Sequence, residues 1–234
     1  MTTAIKLVLF DLDETLIRHT ASFEAVFAQT FEQFSDDLAP ITAPEFLEAF
    51  WPKMLDVWHM MIAGDLNGKA GRHHAFRNTL RMLEADVDLA EAMCEAGDRG
   101  LVLASNPAPD VEHTLKTLRE AGITIGVVTN GFDDLQRRKL KHHGLDALTD
   151  FQLVSESEQS HKPDTLIFER AVTRAACSPE ETLFVGDTLG TDIEGALAAG
   201  MHAAHLSDGI VALIEDRYHP IDDLSDVLAL LDRL

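Results

Sequence analysis

The chain has 234 residues, 46% of them apolar, which suits one sizeable core, or a core with a smaller inserted domain, and excludes a disordered chain. Forty acids oppose nineteen bases, a formal net charge of −21, and this argues against nucleic acid as a partner. No apolar run approaches the length needed to cross a bilayer, and the N-terminal stretch does not resemble a signal peptide, so a soluble cytoplasmic protein without a membrane partner is expected.

Ile5 to Phe10 is a short apolar run, broken only by Lys6 and ending at an acid; it reads as a buried parallel strand. Phe23, Val26, Phe27, Thr30, Phe31 and Phe34 then fall at helical spacing and predict an amphipathic helix whose aromatic stripe is core. Thr42-Ala-Pro-Glu45 is a capping box that starts a second helix. Pro52 is expected to kink or restart it, and Leu47, Phe50, Met54, Trp58, Met61 and Ile62 continue its apolar face. Residues 64 to 71 read as a loop, and a third helical region covers roughly His73 to Ala96. Residues 19 to 97 thus read as all helix. Cys94 and the distant Cys177 make neither a disulfide framework nor a zinc spacing, and read as small core residues.

Beyond residue 98 the pattern changes. Asn106 to Pro109 looks like a connection. Asp110 caps a helix that runs to Glu120 and stops at Gly122. Strands are predicted at Ile123–Thr129, Phe151–Val154, Leu183–Val185 and His202–Leu206. Helices are predicted at Phe132–His143, Asp164–Ala176 and Ile193–Ala199. Strands alternating with helices argue for an α/β fold, a Rossmann-like parallel sheet covered on both faces, with the all-helical segment inserted after the first strand.

Ligands of open α/β sheets bind outside the carboxyl ends of the strands. Asp11 and Asp13 follow the first strand, Thr129 and Asn130 the second, His161-Lys162-Pro163 the third region, and Asp187 and Asp192 the fourth. Taken singly, a turn-capping Asp11, a surface Lys162 or a turn-forming Asp187 needs no active site. Together they bring four carboxylates, a hydroxyl, an amide and an ammonium to one edge, a set suited to a magnesium ion holding a phosphoryl group. A bound cation would also let so acidic a chain handle an anion; the acid surplus itself fits a solvated surface or a saline habitat.

Asp11-Leu-Asp-Glu-Thr15, Thr129, Lys162 and Gly186-Asp187-x4-Asp192 resemble, in order, the four motifs of the haloacid dehalogenase superfamily, and the resemblance covers nearly the whole chain. It implies a Mg²⁺-dependent phosphatase in which Asp11 is the nucleophile that forms an aspartyl-phosphate. Asp13 is then the general acid and base. Thr129 and Asn130 would bind the phosphoryl oxygens, and Lys162 would steady the nucleophile and offset their charge. Asp11, Asp187 and the Asp13 carbonyl would be metal ligands, with Asp192 behind them. In such a site Asp11, beside the metal and Lys162, is expected to be ionised and Asp13 to hold a proton.

The resemblance further implies a core domain of residues 1–17 and 101–234 and a helical cap of residues 18–100, hinged near residues 17 to 20 and 97 to 106. The run Thr129-Asn-Gly-Phe-Asp-Asp-Leu-Gln136 is most similar to the pyrimidine 5′-nucleotidase and N-acylneuraminate-9-phosphatase branch. The expected partner is a small phosphomonoester, a sugar phosphate or a nucleotide, handled by a monomer or a homodimer. Arg72, His73, His74 and Arg77, near Trp58 and His59, are the polar cap residues that would recognise it; the alternative is a solvated basic stretch. Three other functions compete: a phosphomutase of the β-phosphoglucomutase type, a 2-haloacid dehalogenase, and a non-catalytic binding module. The dehalogenase branch uses no acid–base aspartate two residues after the nucleophile, so Asp13 speaks against it; the intact set of Asp11, Asp13, Lys162 and Asp187 speaks against a mere binding module.

Overall fold

The computed structural model describes residues 4–207 and 216–234. In chain order, β1 (Leu7–Phe10) and the short β2 (Ile17–His19) lead into five helices: α1 (Phe23–Glu32), α2 (Ser35–Leu38), α3 (Ala43–Ile62), α4 (Gly68–Met82) and α5 (Ala90–Leu103). They are followed by β3 (Ser105–Pro107), α6 (Val111–Glu120), β4 (Thr124–Thr129), α7 (Asp133–His142), β5 (Phe151–Val154), α8 (Ser155–Glu158) and α9 (Thr165–Ala175). The chain closes with β6 (Thr182–Gly186), α10 (Glu194–Ala198), β7 (His202–Leu206), β8 (Tyr218–Ile221) and α11 (Asp226–Leu231).

Every residue of β1 is buried, because the strand lies at the centre of a parallel sheet ordered β5-β4-β1-β6-β7-β8. Its side chains alternate between two cores. Val8 and Phe10 pack with Leu115 of α6 and Leu140 of α7, whereas Leu7 and Leu9 pack with Ile167 and Phe168 of α9. The α/β architecture with both faces covered is therefore as the strand–helix alternation predicts. β8 was not anticipated: it pairs with β7 at the sheet edge and carries Pro220, a residue tolerated only where one flank of the ladder is open.

The inserted helices build a third core of their own. Phe27, Phe31, Phe46, Phe50 and Phe76 are all buried in it, with the Phe50 and Phe76 rings 4.5 Å apart. Phe132 and Leu135, which follow β4, also belong to this cluster and so join the insert to the sheet. Cys94 is buried here and Cys177 is half-buried elsewhere, both free thiols.

Local details depart from the expectation at four places. β2 and β3 form an antiparallel ribbon at the entrance and exit of the insert, where sequence reading saw only linkers; three-residue strands are too short to show a period. α3 runs unbroken through Pro52. The third helical region is two helices separated at Val87–Leu89. The first of these begins at Gly68 and not near His73. Asn67 caps it by accepting from the Ala70 N–H at 3.1 Å, and the Gly68 N–H donates to Glu156 of α8 at 2.7 Å. A β-carbon at Gly68 would lie 2.2 Å from the Phe132 ring, so glycine is what lets α4 approach the sheet domain there. Finally, Phe27 and Phe31 are core, but Phe23 at the head of the same stripe is 49% exposed.

Among the described residues, no helix is long and apolar enough to cross a membrane.

Candidate active site

Asp11 extends β1 by one residue, its N–H donating to the Val185 carbonyl at 2.9 Å. The chain then turns sharply: Leu16 and Ile17 return their N–H groups to the Leu12 carbonyl, and Glu14 takes a left-handed backbone with φ of 58°. The Asp11 and Asp13 side chains therefore enter different surroundings.

Asp11 is buried, and Lys162 Nζ lies 2.6 Å from its Oδ1 and 2.7 Å from Asp192 Oδ1. Lys162 is held from behind by Asn130, whose side-chain amide accepts from the Lys162 N–H and donates to the Lys162 carbonyl, each at 2.9 Å. Asp192 can reach this group only because position 186 is glycine: a β-carbon there would lie 2.4 Å from Asp192 Oδ2. Asp187 follows directly, accepting from the Thr15 and Thr188 hydroxyls at 3.3 and 3.2 Å. The Asp187 carbonyl lies 3.0 Å from His205 Nε2.

Asp11, Asp187 and Asp192 present carboxylate oxygens within 4.8 Å of one another, with the single Lys162 ammonium among them. Three carboxylates against one ammonium leave an excess of negative charge, and the donors are all hard oxygens, so this set fits a divalent cation of the hard kind. Burial raises the Asp11 carboxyl to about 7, with Lys162 opposing and Asp192 adding to the rise; burial and then Asp192 also raise Asp187. Burial would lower Lys162, but Asp11 and Asp192 outweigh it and bring the ammonium to about 12.

Asp13 has a different set of partners, none of them anticipated. Its Oδ1 accepts from Lys139 Nζ at 2.7 Å and lies 2.9 Å from His19 Nε2, and its Oδ2 accepts from Gln136 Nε2 at 2.7 Å. Burial pushes the Asp13 carboxyl up, yet the hydrogen bonds of His19, Lys139 and Gln136 outweigh it and hold Asp13 well below the usual carboxylate range. The two carboxyl environments are thus driven apart in the chain by itself; the expected order, Asp11 ionised and Asp13 protonated, is that of a site holding a metal. Without a cation in the cluster, burial among acids raises Asp11 and the three donors around Asp13 lower it. Gln136 also donates to Thr129 Oγ1 at 2.8 Å, which fixes the hydroxyl at the end of β4. The signal for these helpers lay in α7, where Gln136 and Lys139 share the buried face with Leu135 and Leu140: polar residues inside an apolar stripe demand partners.

The structure thus brings Asp11, Asp13, Thr129, Asn130, Lys162, Asp187 and Asp192 to one end of the sheet. It does not bring the basic stretch of α4 there as a unit. His74 and Arg77 are exposed. His73 lines a separate surface depression with Asp88, Glu91 and Glu95. Arg72 is buried, with Nε and Nη2 donating to the Asp98 carboxylate at 2.8 and 2.7 Å and Nη2 donating also to Asp134 at 2.8 Å.

An acid pair after β1 and a second after β6 thus meet at the strand ends of a parallel α/β sheet, and the class they belong to is a hydrolase by family match. Residues 5–200 match the haloacid dehalogenase-like hydrolase family, and the chain belongs to it. It is 31% identical over 95% of its length to a glyceraldehyde 3-phosphate phosphatase of Methanopyrus kandleri, 91% of which is covered. A pyrimidine 5′-nucleotidase of Escherichia coli is 29% identical over 86% of this chain and 85% of its own. A 2-haloacid dehalogenase structure from Pseudomonas syringae superposes with a TM-score of 0.76 at 27% identity, covering 98% of this chain and 99% of that one.

Proposed function

We propose that the protein is a Mg²⁺-dependent phosphatase of small phosphomonoesters such as sugar phosphates or nucleotides, working in the cytoplasm through an aspartyl-phosphate on Asp11. The observation that carries this reading is the joint placement of a buried Asp11, Lys162 at 2.6 Å from it, and the Asp11–Asp187–Asp192 cluster at the strand ends. The names of the phosphatase and nucleotidase relatives support it. Against a dehalogenase stands Asp13, which that chemistry does not use and which three side chains here hold in place.

In this mechanism an Asp11 carboxylate oxygen attacks phosphorus, and the bond from phosphorus to the alcohol oxygen breaks. Asp13, which must first take up a proton against the pull of Lys139, His19 and Gln136, gives it to that oxygen, then takes one from the water that attacks the phosphorus of the aspartyl-phosphate and regenerates Asp11. Thr129 hydrogen-bonds the phosphoryl oxygens and Lys162 offsets their charge. Asp11, Asp187 and the Asp13 carbonyl would hold Mg²⁺, with Asp192 supporting, and the ion supplies further neutralisation of phosphoryl charge. Residues 18–100 act as a cap that screens the reaction from bulk water, on a core of residues 1–17 and 101–234.

Phosphate release from p-nitrophenyl phosphate tests the reading. It is expected with Mg²⁺, lost in EDTA, and reduced by about 10³-fold or more in Asp11→Asn. Turnover that survives both treatments overturns it.

A further inference from the structure

The phosphatase reading, on which the following rests, leaves the alcohol half of the ester open. A cavity of about 300 Å³ lies between the insert and the sheet domain and begins at Asp13, Asn130 and Gly131, on the side where the leaving alcohol would emerge. Its volume is at the lower end of those that enclose small ligands. Trp58 on α3 and Phe132 after β4 line it from opposite domains, with their rings edge to face at 5.7 Å. The Arg72 guanidinium lies 4.6 Å above the Phe132 ring. Phe23 and Leu55 also line the cavity and are 49% and 55% exposed, apolar surface that a bound apolar group would take out of water.

The charged residues lining the cavity are Asp13, Arg72 and Lys139, and each is already matched. Lys139 is 2.7 Å from Asp13. Arg72 sits between Asp98 and Asp134 at 2.7 and 2.8 Å, and Arg138 lies 3.8 Å from Asp98. A second anionic group on the substrate would find no unmatched cation among these lining residues and would be set beside carboxylates while losing its hydration. Arg72 Nη1 has no hydrogen-bond partner but is itself buried, so the guanidinium meets the chamber through the Phe132 ring it covers and adds no free donor.

We propose that this chamber receives the leaving alcohol and selects an uncharged group with a flat ring. The preferred substrates are then phosphomonoesters of primary alcohols that carry a phenyl-like ring or a nucleobase and no second ionised group.

The test compares kcat/KM of the full chain with Mg²⁺ for four esters: 2-phenylethyl phosphate, uridine 5′-monophosphate, glycerol 1-phosphate and phosphoserine. All four are esters of primary alcohols, so the ring and the charge are the main variables. At least one ringed ester is expected to exceed glycerol 1-phosphate by tenfold or more, with phosphoserine lower still; which ringed ester leads assigns phenyl or nucleobase. Trp58→Ala is expected to shrink the ratio of the better ringed ester to glycerol 1-phosphate at least fivefold, and Trp58→Phe to keep most of it. A smaller preference for both ringed esters, phosphoserine turned over as well as the better of them, or a ratio untouched by Trp58→Ala overturns the proposal while leaving the phosphatase reading standing. No phosphate from any ester, p-nitrophenyl phosphate included, takes down both.

Discussion

Two largely buried groups in this molecule share one formula, a single base between two acids. At the strand ends Lys162 sits between Asp11 and Asp192; between the insert and α7, Arg72 sits between Asp98 and Asp134. What differs is the surroundings. The first has a third carboxylate, Asp187, within reach and satisfied only by hydroxyl donors on its side-chain oxygens, so charge is left over for a ligand. The second is closed by the Phe132 ring and neighboured by Arg138, so it is spent on holding the insert against the sheet domain. The same ionic arrangement leaves charge over at the strand ends and is matched in charge beside α7.

Substitutions separate the two. The strand-end group is expected to give the largest effect, the loss of about three orders of magnitude in Asp11→Asn, with thermal stability little reduced because the isosteric amide keeps the packing. Arg72→Met should do the opposite. It strands the Asp98 carboxylate in a buried position, and a cost of about 3–5 kcal/mol in urea unfolding is expected. A double substitution that also replaces Asp98 by Leu should recover much of that loss; failure to do so would mean that Arg72 matters for something other than charge pairing. Lys139→Met is intermediate in kind, since Lys139 is buried yet touches Asp13. It should lower kcat by roughly 10- to 100-fold, and an unchanged kcat would show that the ammonium only fills space.

The contrast also explains what could be read from sequence. Asp11, Thr129, Lys162 and Asp187 each follow a strand or its connection, and a short apolar run ending in a polar residue is a local signal. The architecture was legible for the same reason. The pairing of Arg72 with Asp98 and Asp134 is not legible because they are 26 and 62 residues away, and no local pattern announces such a pairing. Lys139 and Gln136 were missed because their partner, Asp13, is more than 120 residues away, although their position on the buried face of α7 was a sign that they had one. The donors around Asp13 fall in the same gap: nothing in the sequence marks it as held by Lys139, Gln136 and His19. β2, β3 and Phe23 escaped because ribbons of three residues have no measurable period, and because a helical stripe does not say where the core beneath it ends.

The central claim is that Asp11 is the atom-bonding residue of the strand-end group. Mixing the chain with Mg²⁺ and a rapidly turned-over ester, quenching in acid, reducing with borohydride and sequencing the peptides by mass spectrometry reads it directly. Reduction of an acyl phosphate converts aspartate to homoserine, and the account predicts that conversion at Asp11 alone, absent without substrate. Homoserine at another aspartate, or steady turnover with Asp11 never modified, would contradict it.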